Sequence, residues 1–531
     1  MSLSPNTTVS KAVSYALSHG YQIAPDALKL LEEFADEQLK KGEGKPTVDS
    51  IISLIIEEKV RLSISEGGSG ARNRIEANDL FAIEPELFEG LGHKGVSDVT
   101  VVQPGTPVVN HIEARVEVIR DPSDKIRPVG IEGFGQLFQN RYEKLMKILR
   151  ERPEARQLSK VAQLNVEKGG RIAGLVYSKR PTKNGIELTI DDDSGKLSAV
   201  AFSEQMKNTV NEVALDQCVM VEVEGRGGRL YVKSVIQPDL PSRVVSPSKK
   251  TVYAVFLSDL HIGSNKFLEG PFGRFVDWLS GKGLRANEDR EILKRLKYVI
   301  IAGDIVDGVG VFPNQEYELV ESNVYKQYDM VWRKLRLIAE HLSVLGIPGN
   351  HDCTRQALPQ PMIPRRYAES LYNLKNLTML GNPALIKLHG VSVLVYHGRS
   401  LDDVLATTPG LSYERPAAAM KVLLKARHLA PIFGLRTPIG PDTEDHLVIE
   451  EVPDIFHAGH IHTVGVESYK GTLIINSGTW QAQTGYQANL GIMPRPGLVP
   501  IVNLATMEVF TREFLTTYEP SAELVNETSG A

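Results

Sequence analysis

Five apolar runs, each ending on a short polar cluster rich in Asp, His and Asn, constrain this chain more than any other feature. Val252-Tyr253-Ala254-Val255-Phe256-Leu257 leads into Ser258-Asp259-Leu260-His261, and Tyr298-Val299-Ile300-Ile301-Ala302 into Gly303-Asp304-Ile305-Val306-Asp307. Leu342 to Pro348 leads into Gly349-Asn350-His351-Asp352, Val391 to Tyr396 into His397-Gly398, and Ile455 to Ala458 into Gly459-His460-Ile461-His462. Runs this uniformly apolar read as strands buried on both faces, with helices covering them. In such sheets the ligand crevice lies beyond the strand carboxyl ends, and all five clusters fall on that side. The pattern predicts one site, assembled at one edge of an α/β domain.

At 531 residues the chain exceeds one ordinary domain, and about three compact units are expected. A net charge of -5 neither requires nor excludes nucleic acid, because a local basic groove can hide in that total. Cys218 and Cys353 lie too far apart in sequence for a disulfide framework and read as reduced thiols of a cell interior. No apolar run reaches the ~18 residues of a membrane span, and Met1-Ser2-Leu3-Ser4-Pro5-Asn6 lacks the pattern of a signal peptide. The expectation is a soluble cytoplasmic protein with no membrane partner.

In chain order, residues 1–62 read as a small helical domain, with Val48, Ile51, Ile52, Ile55 and Ile56 at helical spacing behind Thr47. Residues 63–129, broken by Gly67-Gly68-Ser69-Gly70 and Pro104-Gly105, read as a flexible linker. Residues 130–157 hold a connecting helix, apolar along Leu137, Phe138, Leu145, Ile148 and Leu149. Its opposite face, with Arg141, Lys144, Lys147 and Arg150, reads as a solvated basic face. Residues 158–245 change to short strands broken by Gly and Asp turns, which fits a small barrel of OB-fold type. There Asp191-Asp192-Asp193-Ser194-Gly195 reads as turn chemistry before a metal loop. Residues 251–515 form the α/β domain, and 516–531 a loose polar tail.

The residue types in the five clusters point to metal. An Asp-x-His pair on an extended segment puts both side chains on one face, so Asp259 and His261 can share an ion. The same geometry aligns His460 with His462. Asp304 has two oxygens with which to bridge ions, Asn350 offers an amide oxygen, and His397 another imidazole. Imidazole mixed with carboxylate suits Mn, with Fe or Zn as alternatives, better than Ca or Mg. Two ions ~3.5–4 Å apart can clamp the attacking and leaving oxygens of a phosphoryl displacement. The two carboxylates offset only half of their charge, so the centre stays cationic and attracts a phosphodiester.

Asp-x-His, Gly-Asp-x-x-Asp, Gly-Asn-His-Asp, a lone His-Gly and Gly-His-x-His, in this order, resemble the calcineurin-like metallophosphoesterases across residues 251–515. That resemblance implies an αββα domain. A barrel directly before it resembles the small subunits of replicative DNA polymerases. The strings Phe138-Gln139-Asn140-Arg141-Tyr142, Val395-Tyr396-His397-Gly398-Arg399-Ser400 and Asn476-Ser477-Gly478-Thr479-Trp480-Gln481 are similar to the small-subunit family of archaeal DNA polymerase D. The family implies a 3′→5′ exonuclease that proofreads for a large catalytic subunit and acts on DNA with a 3′ end. It implies two divalent ions, one on Asp259, His261, Asp304 and His462 and the other on Asp304, Asn350, His397 and His460. By the same resemblance His351 assists the leaving oxygen. Asp352 is read as a partner that orients a histidine, and Asp307 likewise. Contact with a sliding clamp rests on the family alone, since no clamp motif stands out. Two other readings remain open: a structural subunit with an inactive site, and a stand-alone phosphatase or nuclease.

Overall fold

In the computed structural model, residues 112–126, 130–284, 287–489 and 491–515 are described. The helical unit expected at 1–62, the tail at 516–531 and most of the linker at 63–129 lie outside them. The end of that linker span is not a linker. Val116–Arg120 (β1) pairs antiparallel with a strand of the α/β domain, and the Asp121 carboxylate accepts the Gly381 amide at 3.0 Å. A short exposed strand beside Pro and Asp turns has too little apolar periodicity to be seen in sequence; an open sheet edge supplies its partner.

The barrel follows. Leu158–Ser159 (β2), Gly170–Thr182 (β3), Gly185–Asp192 (β4), Gly195–Ala201 (β5), Cys218–Arg226 (β6) and Arg229–Ile236 (β7) run in the order β2-β3-β4-β5-β7-β6. Pairing of β6 back to β3 closes five of them into a ring. Val176, Leu188, Ile190, Val221 and Val223 fill it. Asp192 Oδ1 accepts Ser194 N at 2.8 Å and Gly195 N at 3.1 Å, so the Asp-Ser-Gly segment is indeed a turn.

The α/β domain contains Tyr253–Leu257 (β8), Leu296–Ala302 (β9), Ser343–Ile347 (β10), Leu377–Met379 (β11), Ala384–Leu388 (β12) and Val391–Val395 (β13). It continues with Ile455–Ala458 (β14), Gly465–Tyr469 (β15), Thr472–Asn476 (β16), Leu498–Asn503 (β17) and Val509–Glu513 (β18). One sheet runs β11-β10-β9-β8-β17-β18 and the other β1-β12-β13-β14-β16-β15. Strands β8, β9 and β10 are parallel neighbours, as are β13, β14 and β16. Alternation along each strand divides the core. Ala254, Phe256, Tyr298 and Ile300 meet Val393, Val395, Ile455 and Ile475 between the sheets. Val255, Leu257, Val299 and Ile301 point the other way, onto Phe272, Phe275, Trp278, Tyr328 and Val331 of two helices. Leu394 and Phe456 meet Met420 and Leu423 of another helix on the far side. Both faces of these strands are buried as expected, but a helical layer covers only one face of each sheet. The other face is covered by the second sheet, because an apolar run records burial and not what buries it.

The helix Gly133–Arg150 joins the two units. Its Leu137 packs with the α/β domain, while Leu145, Met146 and Leu149 pack with Ala173, Cys218 and Met220 of the barrel. Its basic face is not uniformly solvated. Arg141 is 2% exposed and its Nε donates to Asp445 Oδ2 at 2.6 Å. Lys144 pairs with Glu444 and Glu450, each at 2.8 Å. Those acids lie about 300 residues further along the chain, so the sequence around the helix could not announce them. Among the described residues, no helix is long and apolar enough to cross a membrane.

Candidate metal centre

The five clusters converge where β8, β9, β10, β13 and β14 end. Their backbone is not the extended chain that period-two alternation assumes. Asp259, His261, Asp304, His460 and His462 all have φ between +50° and +70°, the left-handed region. Each Asp-x-His or His-x-His pair therefore comes together on a strained turn, not on one face of a strand. Non-glycine residues held there cost ~1–3 kcal/mol each and concentrate at functional sites. The glycines in the motifs let the loops approach. A Cβ at Gly349 would lie 2.2 Å from Asp304 Oδ1, and one at Gly303 would lie 2.6 Å from His397 Nδ1.

Three groups of ligand-type atoms, each within 4.8 Å of one another, result: Asp259 with His261 and His462, His261 with Asp304 and His351, and Asp304 with His397 and His460. His261 Nε2 lies 3.1 Å from His462 Nε2, and His462 Nε2 lies 3.4 Å from Asp259 Oδ1. On the other side His397 Nε2 lies 3.2 Å from Asp304 Oδ2 and 2.9 Å from Asn350 Oδ1. Asp304 Oδ2 is also 3.8 Å from His261 Nε2, so this carboxylate stands between the two sides. Its Oδ1 accepts the His351 amide at 2.8 Å.

The donor set fits divalent ions on two counts. Asp259 Oδ1 is buried and has no hydrogen-bond partner in the protein, a costly state for a carboxylate oxygen unless a cation meets it. Several ring nitrogens converge while their opposite nitrogens are tied down. His261 Nδ1 faces Asp307 Oδ1 at 2.9 Å. His397 Nδ1 donates to the Ala302 carbonyl at 2.8 Å, and His462 Nδ1 meets Gln487 Nε2 at 2.7 Å. Such bonds fix ring orientation at metal sites.

The electrostatics follow from burial and close opposition. Burial would raise the Asp259 and Asp304 carboxyls, but facing imidazoles (His462 for the first, His397 for the second) hold both below the usual range, Asp304 well below it. Burial opposes a charged His397, yet Asp304 outweighs it and lifts the imidazole to about 9. Burial, reinforced by the Asp304 charge, raises Asp352 to about 6.

Asp307 sits against His261 as a histidine-orienting group would. Asp352 does not orient a histidine. Its oxygens accept the amides of Gly349 at 2.8 Å and Ile305 at 3.1 Å, together with the Tyr328 hydroxyl at 3.1 Å. It therefore ties the Asp304 turn to the Asn350 turn, because the amides of both turns point at it. His351 donates from Nδ1 to the Asp307 carbonyl at 2.7 Å, which leaves Nε2 free.

A protein of Methanothermobacter thermautotrophicus described as DNA polymerase II small subunit is 40% identical over 401 residues, 74% of this chain and 82% of that protein. One of the same description from Archaeoglobus fulgidus is 37% identical over 436 residues, 80% of this chain and 87% of that protein. This chain belongs to the archaeal DNA polymerase II small-subunit family. The family member of Pyrococcus furiosus is 39% identical over 76% of this chain, and the match spans 66% of that longer protein. A family model describing the B-type subunit of DNA polymerase alpha/epsilon matches residues 254–464, a span that includes all seven expected ligands and both turns that Asp352 joins. A solved structure of a novel archaeal phosphodiesterase is 13% identical, covering 49% of this chain and 99% of that one, at a TM-score of 0.25, too weak a likeness to bear on activity.

Sequence reasoning missed three side chains of this small-subunit centre. Asp402 Oδ2 lies 3.1 Å from His460 Nε2, Gln487 holds His462, and Gln481 Nε2 donates to Asp307 Oδ1 at 3.0 Å. Asp402 follows His397 closely, at the start of the helix Leu401–Thr407, a signal that only a ring to orient would make legible. The two glutamines arrive from beyond β16 and carry no local signal.

Proposed function

We propose that this chain is the two-metal 3′→5′ exonuclease subunit of an archaeal replicative polymerase, hydrolysing phosphodiester bonds at DNA 3′ ends to proofread for a large catalytic subunit in the cytoplasm. The observation that carries this reading is the convergence of strand-end ligand residues around Asp304, with Asp259 Oδ1 left unpartnered. Asp259, His261, Asp304 and His462 hold one ion; Asp304, Asn350, His397 and His460 hold the other. Bound divalent ions, best Mn with Fe or Zn as alternatives, stabilise negative charge on the phosphate and lower the pKa of water.

The chain's own side chains do the rest. Asp307, Asp402 and Gln487 fix the rings of His261, His460 and His462. His351, its Nδ1 proton committed to the Asp307 carbonyl, uses Nε2 to deliver a proton to the departing sugar oxygen. The closed barrel of residues 158–245 is of OB-fold type, and the chain divides into helical unit, linker, barrel and phosphoesterase domain. The test is release of label from 3′-labelled single-stranded DNA in Mn²⁺, beside a phosphomonoester that should stay intact. Asp304→Ala should abolish DNA cleavage and lower bound metal while the complex with the large subunit still forms. A folded Asp304→Ala chain that degrades DNA at the wild-type rate refutes the reading.

A further inference from the structure

A cleft of about 660 Å³ opens beside the centre, lined by His351, Arg355, Arg366, Tyr367 and Arg399 among others. We propose that this cleft seats the single strand upstream of the scissile bond, with Arg366 and Arg399 on its phosphates and a base on the flat stack of Tyr367 and Arg366. The inference rests on the nuclease reading above and adds to it the path and polarity of the strand.

The arginines supply the charge. Arg366 is exposed, and its guanidinium lies over the Tyr367 ring at 4.9 Å. Arg399 Nη1 donates to Gln356 Oε1 at 3.0 Å. Arg355 turns inward to brace its own loop through the Ala357 and Pro359 carbonyls at 3.1 and 2.7 Å. Its Nη2 is buried and unpartnered. Among the described residues, none of the three makes an ion pair with a carboxylate. Asp352 also lines the cleft, but amides and the Tyr328 hydroxyl occupy its oxygens. Elsewhere on the surface the pattern differs. In the groove of the barrel, Arg226 pairs with Glu224 at 3.0 Å and Lys233 with Glu222 at 3.4 Å. Unpaired guanidinium forks at the mouth of a phosphoesterase centre are suited to phosphate oxygens. Rings beside them suit unpaired bases, whose faces are free to stack. Phe312, 36% exposed and edge-on to His351 at 6.2 Å, adds a second ring on this side.

The polarity follows from the reaction. In hydrolysis the oxygen of water joins phosphorus and the P–O3′ bond breaks. Its electron pair leaves on O3′, which takes a proton, and a 5′-nucleotide is released. O3′ belongs to the strand that remains. His351, which serves that oxygen, lines the cleft, so the remaining strand lies in the cleft and the released nucleotide on the opposite side of the centre.

The test uses the full chain in EDTA, which reads binding without cleavage. A 5′-labelled single strand of about a dozen thymidines, long enough for one site, is titrated by fluorescence anisotropy across a series of salt concentrations. Arg366→Ala with Arg399→Ala should weaken binding about tenfold or more at low salt. It should also flatten the slope of log affinity against log salt by about 1.4, from two phosphate contacts at ~0.7 each on a single strand. Tyr367→Ala should weaken binding roughly 5- to 100-fold, as expected for a lost stacking contact, with the slope unchanged. A blunt hairpin duplex should bind the wild type more weakly than the single strand. Unchanged affinity and slope in the double variant would overturn the assignment and leave binding to the barrel, as would a wild type that binds no strand. Equal affinity for the hairpin would overturn the single-strand assignment. Cleavage in Mn²⁺ is read separately. A wild type with cleft-dependent binding but no cleavage would refute the nuclease reading and leave the cleft assigned.

Discussion

Asp402→Ala should weaken one ion of the pair and spare the other. His460 Nε2 is engaged with Asp402 Oδ2 at 3.1 Å, so Nδ1 is the nitrogen left to face Asp304 and His397. Removing the carboxylate frees the ring to rotate and lowers the basicity of the ligating nitrogen. The His460 amide still donates to Asp259 Oδ2 at 2.9 Å, so the turn stays in place and the loss is one of ring orientation. Losing a carboxylate that orients a ligating histidine costs roughly 10- to 100-fold in metal affinity, or about 1.4–2.7 kcal/mol. The Asp402 side chain is 22% exposed, and water can replace it for the Tyr413 hydroxyl, so global stability should fall by only about 1 kcal/mol. The assay is a Mn²⁺ titration of metal-stripped chain, by calorimetry or by the EPR signal of free Mn²⁺, fitted to two sites. One dissociation constant should rise roughly 10- to 100-fold while the other, on Asp259, His261 and His462, stays within about twofold. Asp402→Asn keeps an acceptor oxygen and should show the smaller shift. If both constants are unchanged, or both rise together, Asp402 does not act through His460 as argued.

His351→Ala should keep both ions and DNA binding but slow single-turnover cleavage by roughly 10²–10⁴, the range for lost general acid–base catalysis; metal loss would make His351 a ligand, and wild-type turnover would leave it no catalytic role. Arg141→Met should destabilise the joined barrel and α/β units by about 3–5 kcal/mol, because Asp445 would stay buried with only the neutral-leaning His428 beside it; a urea midpoint equal to wild type would refute this. Limited proteolysis should cut within 63–111 and leave a C-terminal fragment that binds metal and degrades DNA, whereas resistance throughout that span would disprove the boundary.

The chemistry of the centre was legible because ligand types cannot be disguised. Two carboxylates, an Asn and four histidines at the ends of apolar runs leave few uses other than metal, whatever the backbone does. The strand runs were legible for a similar reason, since full burial demands unbroken apolar sequence. The covering layer was not, because a helix and a second sheet bury an apolar residue equally well. Nor was the backbone at the ligands. Period-two reasoning brought Asp259 beside His261 for the wrong reason, and only the fold forces both into the left-handed region. Asp352 illustrates the limit most plainly. Its place in Gly-Asn-His-Asp suggests a histidine to orient, yet three amides and a tyrosine from three separate segments reach it first. Local sequence sets which atoms are available. Which of them meet depends on contacts between residues tens to hundreds of positions apart, as in Arg141 with Asp445 or His460 with Asp402, and those distances exist only once the two sheets have packed.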